Sequence, residues 1–334
     1  LKTFFLVLRK INIYMKNLLI VIFFLPISIF AQGWKTYGSI GSESAYSIKE
    51  TPDGGYVMCG YSDSYGASGN LEAYLIKTDI NGNLEWTQTY GGNYNTIALD
   101  FDLTSDGGYI ITGKRDLING FSLSDIVLIK ADSSGNQQWL QTYGGMYEDC
   151  GYSVKETIFG GFIVAGKSDT IISSQSPIGF SRPYIFETDS IGNLQWEKVY
   201  AGNSNSELYS IIERPFGYIS VGYTTNCSSC SRNFYLLKIN HIGDSLDSKS
   251  IWRSNDDVLT DITYHNNSYW SSGYSNLSFG NNSNAIILNS NLILNNNYIV
   301  DYHNNSTANS ITSNENSIIA CGTSTDSLGN TDIL

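Results

Sequence analysis

The chain has 334 residues, 41% hydrophobic and only 15% charged, enough to bury one large core or two ordinary ones. A formal net charge of −12 excludes a Lys- and Arg-rich surface for nucleic acid and argues against docking on anionic lipid. Tyr (24) and Gly (32) are plentiful and Pro is scarce (5), which suits strands and tight turns rather than a Pro-rich disordered chain.

The first element reads as an export signal. From Met15 the chain runs MKNLLIVIFFLPISIFAQ, with Lys16 as the positive start and Leu18 to Phe30 as the apolar segment. Ala31 is the small residue expected before a cleavage point at Gln32. The apolar run is too short to cross a bilayer comfortably, so no membrane span is expected after cleavage. The competing reading is an uncleaved anchor that includes Phe4 to Leu8. Residues 1–31 are therefore assigned to the signal, its start falling at Leu1 or Met15. Residues 32–334 form one repeat domain, outside the cell, on its surface or in the periplasm, where disulfides persist.

Three elements recur in phase. The first is Trp86-Thr-Gln-Thr-Tyr-Gly-Gly, with copies at Trp139, Trp196 and, shorter, Trp34; its tyrosines are Tyr37, Tyr90, Tyr143 and Tyr200, at steps of 53, 53 and 57. The second is Ser47-Ile-Lys-Glu-Thr-Pro-Asp-Gly-Gly-Tyr, with copies at Asp100, Ser153 and Ser210. The third is Tyr74-Leu-Ile-Lys-Thr-Asp-Ile-Asn-Gly-Asn, with copies at Val127, Tyr184 and Tyr235. Self-similarity at this period marks stacked supersecondary units, and four strands per unit is the pattern of a propeller blade.

Within the first copy, strand a is expected at Ala45–Thr51 and turns at Asp53-Gly54-Gly55 into strand b, Tyr56–Tyr61. A variable loop leads to strand c, Ala73–Thr78. The turn Asp79-Ile-Asn-Gly-Asn83 leads to strand d, Leu84–Tyr90. Strands b and c are apolar almost throughout, as when both sheet faces are covered. The sixth copy lacks its fourth strand, and Trp34–Gly38 is an orphan strand d. The fold expected is therefore all-β: a β-propeller of four-stranded blades, six in number, closed by the N-terminal strand completing the last blade. Closure would remove free sheet edges. A chain cut at Leu334, with a native ring of seven or more blades, is the competing reading.

These motifs resemble a repeat family of secreted bacterial and archaeal propellers, common among Bacteroidetes-type surface proteins, that carries W-x-x-T-Y-G-G, D-G-G-Y-I-V-x-G and L-I-K-x-D-x-x-G-N-x-x-W in series. The resemblance covers residues 33–334. It implies a propeller at or beyond the cell surface and no established activity for the repeat itself. The Asp79 to Trp86 segment also looks like a blade turn of quinoprotein-type propellers, which concerns a turn and not an active site.

The repeated residues have structural readings. Asp79, Asp132 and Asp189 are expected to cap their turns, with Gly82, Gly135 and Gly192 left-handed. Calcium at these turns is disfavoured, because each offers one carboxylate and the ion takes six to eight oxygens. Trp86, Trp139 and Trp196 are expected to pack between blades. His241, His265 and His303 are scattered, with no metal spacing. Cys227 and Cys230, in Cys-Ser-Ser-Cys, are expected to form a local disulfide in an exported chain, or else a reduced pair. Cys59 and Cys321, equivalent in strand b, read as buried free thiols.

Recognition is expected where the copies differ, in the b–c loops on one rim. The longest, Lys167–Arg182, contains Pro177, Phe180 and Arg182. The function expected is a non-enzymatic, monomeric binding or surface-structural module for a glycan or an extracellular protein, with no cofactor. The alternative is a glycan-active hydrolase or lyase with carboxylates at the axis, drawn from Asp102, Glu148, Asp149, Asp256, Asp257 and Asp261.

Overall fold

A computed structural model describes residues 35–65, 69–116, 123–145, 147–170, 180–200, 205–225, 231–251, 256–276, 283–290, 297–304, 306–314, 317–325 and 331–333. The chain divides into units Leu1–Thr36 and Tyr37–Leu334, and every element below lies in the second. Among the described residues, no helix is long and apolar enough to cross a membrane.

Among the described residues, the regular elements are strands. The first sheet comprises β1 (Glu43–Glu50), β2 (Tyr56–Ser62), β3 (Glu72–Thr78) and β4 (Leu84–Tyr90). The second comprises β5 (Thr96–Leu103), β6 (Tyr109–Asp116), β7 (Ser124–Ala131) and β8 (Gln137–Tyr143), and the third β9 (Asp149–Glu156), β10 (Phe162–Thr170), β11 (Phe180–Thr188) and β12 (Leu194–Val199). The fourth holds β13 (Ser206–Arg214), β14 (Gly217–Thr225), β15 (Arg232–Ile239) and β16 (Ser245–Ile251), and the fifth β17 (Asp257–His265), β18 (Ser268–Asn276), β19 (Ser283–Ser290) and β20 (Asn297–Asn304). The sixth has three strands, β21 (Ser306–Ser313), β22 (Ile318–Thr325) and β23 (Thr331–Ile333). Each sheet is an antiparallel meander: short turns join its first strand to its second and, in the first four sheets, its third to its fourth, and a longer loop joins the second to the third.

The core lies between sheets. Val57 and Cys59 of the first sheet pack with Ala98 and Phe101 of the second. Ile110 of the second packs with Val154 of the third, Ile163 and Ala165 of the third with Leu208 and Ile211 of the fourth, and Ile219 and Val221 of the fourth with Leu259 and Ile262 of the fifth. The rule is constant: strand b of one sheet covers strand a of the next. This is why β3 is buried along its whole length while β4, the outermost strand, is mostly half-exposed.

Every first strand carries a β-bulge at the same place. Ala45 pairs with Gly60 and Ser47 with Cys59, which leaves Tyr46 as the extra residue. The same slip isolates Leu99, Tyr152, Tyr209, Thr260 and Asn309. The partner at each bulge is a glycine: Gly60, Gly113, Gly166, Gly222, Gly273 or Gly322. A Cβ at any of them would stand 1.7–2.1 Å from a carbonyl oxygen of strand a, so a side chain is excluded there.

The sheets are also latched at their outer edges. The Tyr90 hydroxyl donates to the Gly135 carbonyl (2.7 Å), Tyr143 to Gly192 (2.5 Å) and Tyr200 to Gly243 (2.8 Å). Each joins the end of one sheet to the c–d turn of the next. Tyr37 makes the same bond to Gly82 (2.7 Å), so it stands where a preceding sheet's fourth strand would end.

The expected pairing of Trp34–Gly38 with the last sheet is not present among the described residues. Trp34 lies outside them, Lys35–Gly38 form no strand, and β23 pairs with β22. The faces that would meet there are open. Ile48 is 61% exposed, whereas its counterparts Phe101, Val154, Ile211, Ile262 and Ile311 are at most 4% exposed. On the sixth sheet Ile319 is 52% exposed and Cys321 is exposed, although Cys59 at the equivalent position is buried. Cys321 is thus exposed where a buried thiol was expected: among the described residues, no strand a covers it.

Candidate functional site

The six bulges turn their extra residues out of the ladder. Tyr46, Leu99, Tyr152, Tyr209 and Thr260 line a common open cavity of about 320 Å³ together with Val258 and Tyr274. Residues of the first five sheets meet in this cup, and Asn309 is the matching bulge residue of the sixth. Tyr152 and Tyr209 stand edge to face with centroids 4.8 Å apart. Tyr209 continues to Tyr223 at 6.0 Å. Burial raises the phenol pKa values of Tyr152, Tyr209 and Tyr274, so the hydroxyls stay protonated.

Glu207 and Arg232 touch cup tyrosines and also have partners beyond them. Glu207 is buried and accepts hydrogen bonds from Tyr209 (3.0 Å) and Tyr223 (3.1 Å). Arg232 makes a two-pronged pair with Asp256 and faces the rings of Tyr223 and Tyr274. Glu148 lies between Lys114 (3.8 Å) and Lys167 (3.6 Å), and Lys167 also reaches Asp169 (3.8 Å).

Immediately after each bulge residue comes a Ser or Asp. Asp100 accepts from the hydroxyls of Ser47 (3.0 Å) and Ser153 (3.2 Å), and Asp261 from those of Ser210 and Ser310 (both 2.7 Å). These bonds tie neighbouring first strands side by side. Two residues further along, Lys49 pairs with Asp102 at 2.5 Å. Of the other acids considered for chemistry, Asp257 accepts from Ser275, and Asp149 accepts from the Gly145 amide (2.6 Å). Asp149 is buried beside Asp125, whose carboxyl is pushed up to about 6 by burial first and the Asp149 charge second.

The longest loop is shorter than its sequence suggests. β10 runs to Thr170 and β11 begins at Phe180, so Phe180 pairs with Thr170 and Arg182 with Ser168 inside the ladder. Neither lines the cup. Pro177, Cys227 and Cys230 lie outside the described residues.

At the opposite ends of the sheets, the Asp79 carboxylate accepts from the Asn81 (2.8 Å) and Asn83 (2.7 Å) amides, and Asp132 and Asp189 do the same in their turns. Gly82, Gly135 and Gly192 have φ of +70°, +78° and +86°. Trp86 lies 5.8 Å from the Tyr109 ring of the next sheet and Trp139 6.0 Å from Phe162. The Trp196 indole donates to Glu187 (2.9 Å) and its ring lies against Gly243. Among the described residues, no group of three or more His, Cys, Asp or Glu is placed to hold a metal ion.

The bulge tyrosines escaped the sequence reading because they look like one more residue of a strand. The signal was present as the strand-b glycine, repeated in all six copies.

No protein-family model matches the chain, and no curated protein matches it. Among solved structures, the WD40 domain of Neurospora crassa Pan2 is similar at 12% identity and a TM-score of 0.52, over 87% of this chain and 78% of that one. The β-propeller domain of the Trilobed protease from Pyrococcus furiosus matches at 9% identity and a TM-score of 0.43, over 89% of this chain and 93% of that one. A glycosyl hydrolase from Bacteroides ovatus matches at 10% identity and 0.37, over 69% and 81%. With its four-stranded antiparallel sheets and the first of these likenesses, the chain has a β-propeller fold.

Proposed function

We propose that this chain is an exported, six-bladed β-propeller that binds an extracellular glycan in the tyrosine cup without acting on it chemically. The observation that carries this reading is the cup itself. Tyr46, Tyr152, Tyr209 and Tyr274 come from four different sheets and share one open cavity. Tyrosine offers a flat apolar face for a sugar ring and a hydroxyl for its polar edge. A non-catalytic role is supported by the acids nearest the first strands, Asp100, Asp102 and Asp261, each of which is already engaged by serine hydroxyls or lysine. A glycosidase needs one carboxyl free to protonate the glycosidic oxygen and a second facing it across the bond.

Closure at six blades is supported by two features. Tyr37 already occupies the latch position in front of the first sheet. Ile48 and Ile319 expose the two halves of an interface that is filled at the other junctions. Export is supported by the Met15–Ala31 segment.

The test is a screen of the purified protein against immobilised microbial glycans, with released reducing ends measured in parallel. Binding should weaken by about tenfold or more in Tyr152→Ala and Tyr209→Ala, with no sugar released. Binding that ignores both substitutions, or turnover that Asp100→Asn abolishes, would overturn the proposal.

A further inference from the structure

The seven described residues lining the cup are four tyrosines, Leu99, Val258 and Thr260; none of these is charged. Three described cations on neighbouring strands have acidic partners of their own. Lys114 and Lys167 share Glu148, and Arg232 is held in a two-pronged pair with Asp256. Glu207, which the hydroxyl of the cup residue Tyr209 reaches, is buried and also accepts from Tyr223. A carboxylate or sulfate ester entering this cup would lose its hydration and meet no cationic side chain among the described lining residues, which is costly. The chain's formal net charge of −12 adds a long-range field that repels polyanions.

We infer that the cup selects neutral oligosaccharides and rejects those bearing uronates or sulfates, an inference that rests on the glycan-binding reading above. The Tyr152 and Tyr209 rings, at an interplanar angle of 66°, form a floor and a wall for one pyranose unit. Their apolar faces cover the C–H side of the sugar. Tyr209 already donates its hydroxyl to Glu207, so its contribution to the ligand is its ring.

The experiment is isothermal titration of the folded protein with two panels of hexasaccharides. The neutral panel is gluco-, manno- and galacto-configured; the acidic panel is oligogalacturonate and chondroitin sulfate. Both are run at about 20 mM and about 300 mM NaCl, a range over which exposed charge pairs are strongly screened. The expected result is binding of at least one neutral ligand, with Kd changing less than about twofold between the two salts. Affinity should drop about tenfold in Tyr209→Ala and stay within about threefold in Tyr209→Phe, which keeps the ring. Thermal melts confirm that both variants fold. Preferential, salt-sensitive binding of the acidic panel would overturn the charge selection while leaving a glycan-binding cup in place. Binding of neither panel would overturn both.

Discussion

Replacing Ile48 with alanine should cost about as much stability as replacing Ile211, and the reason is symmetry. Ile211 is fully buried between the third and fourth sheets, in contact with strand b of the preceding sheet. Truncating such an isoleucine removes its transfer free energy and leaves a cavity, at a cost of about 2–5 kcal/mol. Ile48 holds the equivalent place on β1 but stands 61% exposed. An isoleucine that stayed so exposed would lose no more than about 0.5 kcal/mol on truncation. If the sixth sheet closes on the first in solution, Ile319 covers Ile48, and Ile48→Ala should lose about 2–4 kcal/mol. Urea unfolding followed by tryptophan fluorescence reads this as a lower midpoint at unchanged slope. Because the two side chains would then touch, Ile48→Ala and Ile319→Ala should be coupled by about 1 kcal/mol in a double-mutant cycle. Two additive losses of at most about 0.5 kcal/mol each would refute closure.

Three further outcomes follow from the repeat. Gly166→Ala places a methyl 1.9 Å from the Cys150 carbonyl oxygen and must pry β9 from β10, at about 3–5 kcal/mol, whereas Gly160→Ala, with φ of +81° but open space around it, should cost about 1–2 kcal/mol; equal losses in urea titrations would remove the glycine rationale for the bulge. Tyr37→Phe and Tyr90→Phe should each lower stability by about 1 kcal/mol, the net worth of one hydrogen bond, and a silent Tyr37→Phe beside a costly Tyr90→Phe would mean the N-terminal segment leaves its latch in solution. Folded Asp125 keeps its proton up to about pH 6, while the unfolded carboxyl releases it near 3.8, so the folded state binds more protons in between and stability falls as pH rises through that window. Partial exposure limits the loss to about 1–2 kcal/mol; Asp125→Asn should flatten the curve between pH 4 and 7, and an unchanged slope would contradict the assignment.

Strand existence and order were legible in the sequence because turn chemistry and apolar runs repeat together. Asp53-Gly54-Gly55 and Asp79 to Asn83 are turns in the structure, and strand d of the first copy spans Leu84–Tyr90 in both. The first strands begin earlier than expected, as β1 does at Glu43 rather than Ala45, because pairing with strand b continues past the bulge. The bulge itself was hidden: an extra residue in one strand changes no composition, and only the facing glycine betrays it. The loop proposal around Phe180 and Arg182 misjudged length, since a hairpin can extend its ladder into polar sequence such as Lys167–Thr170. The missing closure contact was beyond local pattern altogether, because it depends on how far sheet-to-sheet packing continues from the sixth sheet to the first.

A glycan-binding cup requires that a sugar touch the tyrosines lining it. Ring-labelled tyrosine NMR during titration with a bound neutral oligosaccharide reads this directly. Shifts confined to Tyr46, Tyr152, Tyr209 and Tyr274, with Tyr143 and Tyr200 unmoved, are the predicted result. Shifts that leave those four unchanged, or that fall on the outer latch tyrosines, would contradict a binding cup at the bulge residues.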